Sequence, residues 1–98
     1  MASEHPHIVI FNPDSYRGDV LGHLGNPGAV TPNLDALIRS GGVSYANAFA
    51  QSPVCTPSRC SFMTGWYPHV HGYRSMKNML KEHDPNLFSV LRREGYHV

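Results

Sequence analysis

Apolar positions fall along the chain in short blocks divided by glycine and proline, and no single period runs through them. Ile8-Val9-Ile10-Phe11 is a continuous, largely β-branched run, the pattern of a strand buried on both faces. Asn12-Pro13 ends it, because proline lacks a ladder donor and holds the residue before it extended. Asp14 therefore falls just past the strand's C-terminal end, the edge where open α/β sheets bind ligands. Residues 15–30 are glycine-rich and contain Asn26-Pro27, which predicts a loop with at most a helical turn around Val20 and Leu21. Arg17 and Asp19 read as solvated loop charges. Thr31-Pro32 opens a helix carrying Leu34, Leu37 and Ile38 at helical spacing, and Gly41-Gly42 stops it. Residues 43–49 alternate loosely and predict a short strand.

A loop over residues 50–53 then drops into a second helix. Thr56 suits its N-cap and Pro57 its first position, where a missing N–H costs nothing. Phe62 and Met63 are placed to face a core, and Gly65 is the natural stop. Residues 66–73 are aromatic and turn-rich, and residues 75–84 read as an irregular connector. Residues 85–94 predict a last helix ended by Gly95, after which Tyr96-His97-Val98 has the look of a strand beginning. Strands alternating with helices make an α/β layer the expected fold class.

Composition narrows the function classes. The 98 residues are 41% hydrophobic and 15% charged, which fits a globular chain rather than a disordered one. A net charge of +1 gives no electrostatic footprint for nucleic acid or an anionic membrane. Seven histidines are spread out, and only His69-Val70-His71 is close-set, too little to mark a zinc module. The start, Met1-Ala2-Ser3-Glu4-His5-Pro6, is polar, and the apolar run after it is too short for a signal peptide or membrane span. Two cysteines five apart do not make a disulfide framework. The expected setting is the reducing cytoplasm, with Met1 as the natural start.

The candidate chemistry gathers at Cys55. This reading sets it just ahead of a helix N-terminus, where unpaired N–H groups and the macrodipole favour negative charge. Arg59 lies one turn in, and helical side chains lean back toward the N-terminus, so its donor fork is placed to hold an anion near the sulfur. By itself the pair is more often a small buried thiol and a surface arginine.

Cys55-Thr56-Pro57-Ser58-Arg59 resembles the C-x-P-x-R signature of the sulfatase family, and Thr64-Gly65 with Tyr67-Pro68-His69 is similar to its usual continuation. The likeness extends to Ile8-Val9-Ile10-Phe11, Asp14, Gly25-Asn26-Pro27 and Thr31-Pro32-Asn33-Leu34-Asp35, in the family's order and over nearly the whole chain. It implies an alkaline-phosphatase-like mixed-sheet sandwich, with residues 1–98 as the N-terminal portion of a longer catalytic domain. It implies a sulfuric ester hydrolase in which a formylglycine-generating enzyme oxidises Cys55 to an aldehyde. The aldehyde hydrate carries two hydroxyls on one carbon: one attacks sulfur, and the other collapses to release sulfate. Catalytic roles fall on Cys55 and Arg59, metal ligation on Asp14 and the modified Cys55, and a substrate contact on His71. Many members carry two adjacent carboxylates where this chain has Pro13-Asp14-Ser15. Hard oxygen ligands suit a divalent cation, calcium ahead of magnesium. The remaining metal ligands and the general acid would come from segments beyond Val98, so these residues alone are expected to be inactive. Relatives with the same nucleophile that cleave phosphonate monoesters or phosphodiesters are the alternative, and an inactive fragment is the other.

Overall fold

The computed structural model describes residues 5–98 and divides them into two units, residues 5–9 with Ala50–Val98, and Ile10–Phe49. The polar start at residues 1–4 lies outside the described residues.

In the Ile10–Phe49 unit, α1 (Pro32–Arg39) packs against a single 3₁₀ turn, Gly22–Leu24. The helix begins and ends where the sequence predicts. Thr31 takes the N-cap position but does not cap with its side chain. Its hydroxyl accepts the Gly22 N–H at 2.9 Å and donates to Asp35 Oδ1 at 3.1 Å. Asp35 Oδ1 also accepts the His23 N–H at 3.0 Å. The first turn of α1 thus stitches the preceding loop to itself. Gly22 has to be glycine for this: a Cβ there would stand 2.5 Å from Asp35 Oδ2. At the other end Gly42 N–H bonds to Leu37 O and Gly41 N–H to Ile38 O, each at 3.1 Å, closing a Schellman motif. That closure needs a left-handed residue, and Gly41 supplies it at φ 110°. Arg17 and Asp19, read as solvated charges, pair with one another at 2.6 Å on the surface.

The other unit holds α2 (Cys55–Thr64), the one-turn α3 (Pro68–His71) and α4 (Leu87–Arg93), with α3 and α4 both packed on α2. Its buried positions are Pro57, Cys60 and Ser61 on α2, and Tyr73. The first three fall at i, i+3 and i+4, one helical face. Phe62, expected to face the core, is 49% exposed, because it sits on the flank of that stripe. Both cysteines are free thiols. Asn86 caps α4 by accepting the Ser89 N–H at 3.0 Å, and Ser89 Oγ accepts the Asn86 N–H in return, a capping box.

No β-strand forms among the described residues, which departs from the expected α/β layer. The run taken for a buried strand is irregular and open, with Val9 88% and Phe11 76% exposed. Residues 43–49 form no strand either, and Tyr96 folds back as its N–H closes the end of α4 on Leu91 O at 3.0 Å. The reason is that a strand is completed by a neighbour. Its N–H and C=O groups point sideways, and without a second strand in register no ladder exists. Helices bond internally and form regardless.

Candidate active site

Cys55 is the first residue of α2 rather than the residue before it, and Val54, not Thr56, is the N-cap. Pro57 consequently stands at the third helical position. It is tolerated there because the first four N–H groups of a helix have no partner within it. Cys55 thus stands within the first turn of α2, at the positive end of the helix dipole. Val54 has no side-chain acceptor, so no capping group competes with an anion for the first N–H groups. Cys55 is half-buried and Arg59, one turn later on the same helix, is exposed. Residues four apart on a helix lie on one face, which puts thiol and guanidinium on the same side of α2.

Asp14 lies in the other unit, in an exposed turn where its Oδ1 accepts the Ser15 N–H at 3.0 Å. Ser15 adopts φ 55°, the left-handed conformation that such a turn imposes. Among the described residues no three His, Cys, Asp or Glu side chains come together as a metal cage. Hard cations take six or more oxygen ligands, so Asp14 by itself does not make a cation site.

His71 ends α3 half-buried among aromatic rings, 6.5 Å from Trp66 and 4.4 Å from Tyr73 between ring centroids. Its Nδ1 accepts the Tyr73 N–H at 3.0 Å, which leaves the ring's own proton on Nε2 when the ring is neutral. Nε2 is shielded from water and without a hydrogen-bond partner among the described residues. It is the one polar atom of the ring left for a ligand. A cleft of about 290 Å³ opens by Gln51, Ser61, Phe62, Gly65, Trp66 and Tyr67. It belongs to the C-terminal half of α2, roughly 10 Å along the helix from Cys55 at 1.5 Å per residue, and does not include the thiol.

Below the aromatic segment, the Tyr73 hydroxyl donates to Asp84 Oδ2, which also accepts the Lys81 N–H at 2.7 Å. The Tyr73 bond, then the Lys81 bond, hold the Asp84 carboxyl below its usual range, and the same bond to Asp84 raises the Tyr73 phenol. Nothing in the residue spacing announces this pair, since eleven residues separate its members. Its effect on stability has a definite sign. A depressed carboxylate stabilises the fold above its unfolded value near ~3.9, and that contribution fades as pH falls through the folded value. A raised phenol stabilises below ~10, and its contribution fades as pH rises through the folded value. Thermal melts across pH should therefore show a neutral plateau with an acid and an alkaline limb. Tyr73→Phe should flatten the alkaline limb and shrink the acid one. Limbs unchanged in the variant would show that the pair carries no such linkage.

The family model for sulfatases matches residues 6–98. The chain is 38% identical over 93 residues to an ulvan-active sulfatase of Formosa agariphila, an alignment covering 95% of this chain and 18% of that protein. It is 34% identical over 94 residues to an arylsulfatase of Clostridium perfringens, covering 95% of this chain and 19% of that one. Human steryl-sulfatase is 43% identical over 74 residues, 76% of this chain and 12% of the relative. The chain belongs to the sulfatase family. It spans less than a fifth of the length of these curated relatives. No solved structure matches it. Among the described residues no helix is long and apolar enough to cross a membrane.

Proposed function

We propose that these residues are the nucleophile-bearing part of a sulfuric ester hydrolase whose catalytic domain is an alkaline-phosphatase-like mixed-sheet sandwich. The observation that carries the proposal is the position of Cys55 and Arg59: the signature thiol opens α2 and the signature guanidinium lies one turn behind it, on one face. Sulfate monoesters repel nucleophiles with their own negative charge, so a catalyst must gather positive charge around the sulfuryl oxygens. The first N–H groups of α2 do this through the helix dipole. Arg59 does it with a planar donor fork and no possibility of losing its proton at neutral pH. Cys55 supplies the carbon on which a formylglycine-generating enzyme makes the aldehyde, and the aldehyde supplies a nucleophile that can discharge sulfate. His71 offers Nε2–H to the ester from the aromatic segment. Asp14 and the modified Cys55 would hold a divalent cation, calcium ahead of magnesium, which would add positive charge beside the sulfuryl oxygens.

Whole protein produced with a formylglycine-generating enzyme should hydrolyse an aryl sulfate with a higher kcat/KM than an aryl phosphonate monoester. A chelator should abolish turnover, and calcium should restore it. Preference for the phosphonate ester would move the protein to the neighbouring hydrolase class, and turnover undiminished by chelation would remove the cation from the account.

A further inference from the structure

Away from the Cys55 segment, one cluster joins a hydroxyl, an imidazole and a carboxylate in series. His23 Nε2 lies 2.8 Å from Ser44 Oγ, and His23 Nδ1 faces Asp35 Oδ1 at 3.5 Å. All three residues belong to the Ile10–Phe49 unit. Exposure is graded along the series: Ser44 is exposed, whereas the His23 and Asp35 side chains are 15% and 19% exposed. His23 Nδ1 is shielded from water and has no hydrogen-bond partner among the described residues, which leaves Asp35 Oδ1 as the acceptor it faces. The carboxylate does not wander, because the His23 N–H and the Thr31 hydroxyl both hold the same oxygen. Partial burial pushes the Asp35 carboxyl upward, but those hydrogen bonds and the His23 ring outweigh it and keep the group on the acidic side of its ordinary value. With the imidazole proton on Nδ1, Nε2 accepts the Ser44 hydroxyl while Nδ1–H faces the Asp35 carboxylate.

We propose that Ser44, His23 and Asp35 form a second nucleophilic site, in which Ser44 is activated toward small acyl and phosphonyl electrophiles. Nothing in the sulfatase reading uses these three side chains together. In the reaction, Ser44 Oγ attacks the electrophilic carbon or phosphorus while its proton passes to His23 Nε2. A new O–C or O–P bond forms, and the bond to the leaving group breaks with its electron pair leaving as the anion. Asp35 then faces a charged imidazolium across Nδ1–H, the arrangement that orients and stabilises a general base. The 3.5 Å contact is long for a hydrogen bond, as catalytic contacts often are before charge develops. Among the described residues, Asp35 on α1 is a charged group facing the ring, and the loop after α1 supplies the uncharged Ser44.

The test is covalent labelling of the intact protein with an alkyl fluorophosphonate, mapped by peptide mass spectrometry. General-base assistance contributes about 10²- to 10⁴-fold, so Ser44 should label at least ~10²-fold faster than the exposed Ser15, Ser40 and Ser75 of the same molecule. Its rate should level off with rising pH, as base-assisted attack does, whereas unassisted alkoxide attack keeps climbing. His23→Gln should bring Ser44 down to the other serines. Asp35→Asn also cuts the ties to the 3₁₀ turn, so the comparison among serines and the pH profile in the unaltered protein decide the matter if that variant does not fold. Equal labelling of Ser44 and the three control serines, or a Ser44 rate that His23→Gln leaves unchanged, would overturn the proposal.

Discussion

Cys55→Ala should abolish the proposed ester hydrolysis in the whole protein, the largest effect expected of any single substitution in these residues. Alanine keeps the helix, since it is the best helix former and Cys55 is only half-buried at the first position of α2. What it loses is the sulfur on Cβ, without which the proposed oxidation has no thiol to convert and that carbon stays an inert methyl. Cys55→Ser is the sharper comparison. It keeps an oxygen at nearly the same place but cannot form the hydrate, so a single sulfation of the serine should trap the protein without a second turnover. Cys60→Ser should leave kcat unchanged while lowering stability, because Cys60 is 5% exposed on the packed face and a hydroxyl there lacks an assured partner. Steady-state kinetics beside thermal melts separates the three. Near-normal kcat in Cys55→Ala would end the proposal for this residue.

Arg59→Ala should lower kcat by about 10²- to 10³-fold, roughly 3–4 kcal/mol, the loss typical of one donor aimed at a developing oxyanion. The exposure of Arg59 makes stability a poor explanation for that loss, since an exposed helical arginine contributes little to folding. Arg59→Lys distinguishes charge from geometry. Lysine keeps the charge but not the planar fork, so it should recover only part of the rate. An equal fall in kcat/KM and kcat would place the contact in the transition state. A rise in KM alone would make Arg59 a group that binds substrate and transition state equally.

The helices were legible because their signals are local. Thr31-Pro32 and Gly41-Gly42 bracket α1, and Gly65 and Gly95 stand just beyond α2 and α4, all within a few residues of the bonds they control. The start of α2 was misplaced by two residues because proline is acceptable anywhere in a first turn, not solely at its opening. The expected strands did not form because their pairing partners are not local. A β-branched run such as Ile8-Val9-Ile10-Phe11 records a preference for a pleated, half-buried surface and says nothing of what covers it. The Asp35 contacts to the 3₁₀ turn were invisible for a related reason. They join a loop to a helix twelve residues away through one carboxylate, and no periodicity marks a single contact. The available hint was Thr31 and Asp35 four apart at a helix start, two polar groups able to turn back together toward the preceding loop.

The aldehyde at Cys55 is the claim on which the catalytic reading rests, and peptide mass spectrometry across residues 53–65 of the whole protein tests it directly. Protein made with a formylglycine-generating enzyme should yield a peptide in which Cys55 has lost its sulfur and gained a carbonyl that reacts with a hydrazide, while Cys60 remains a free thiol. A Cys55 that stays a thiol in protein that turns over sulfate esters would contradict it.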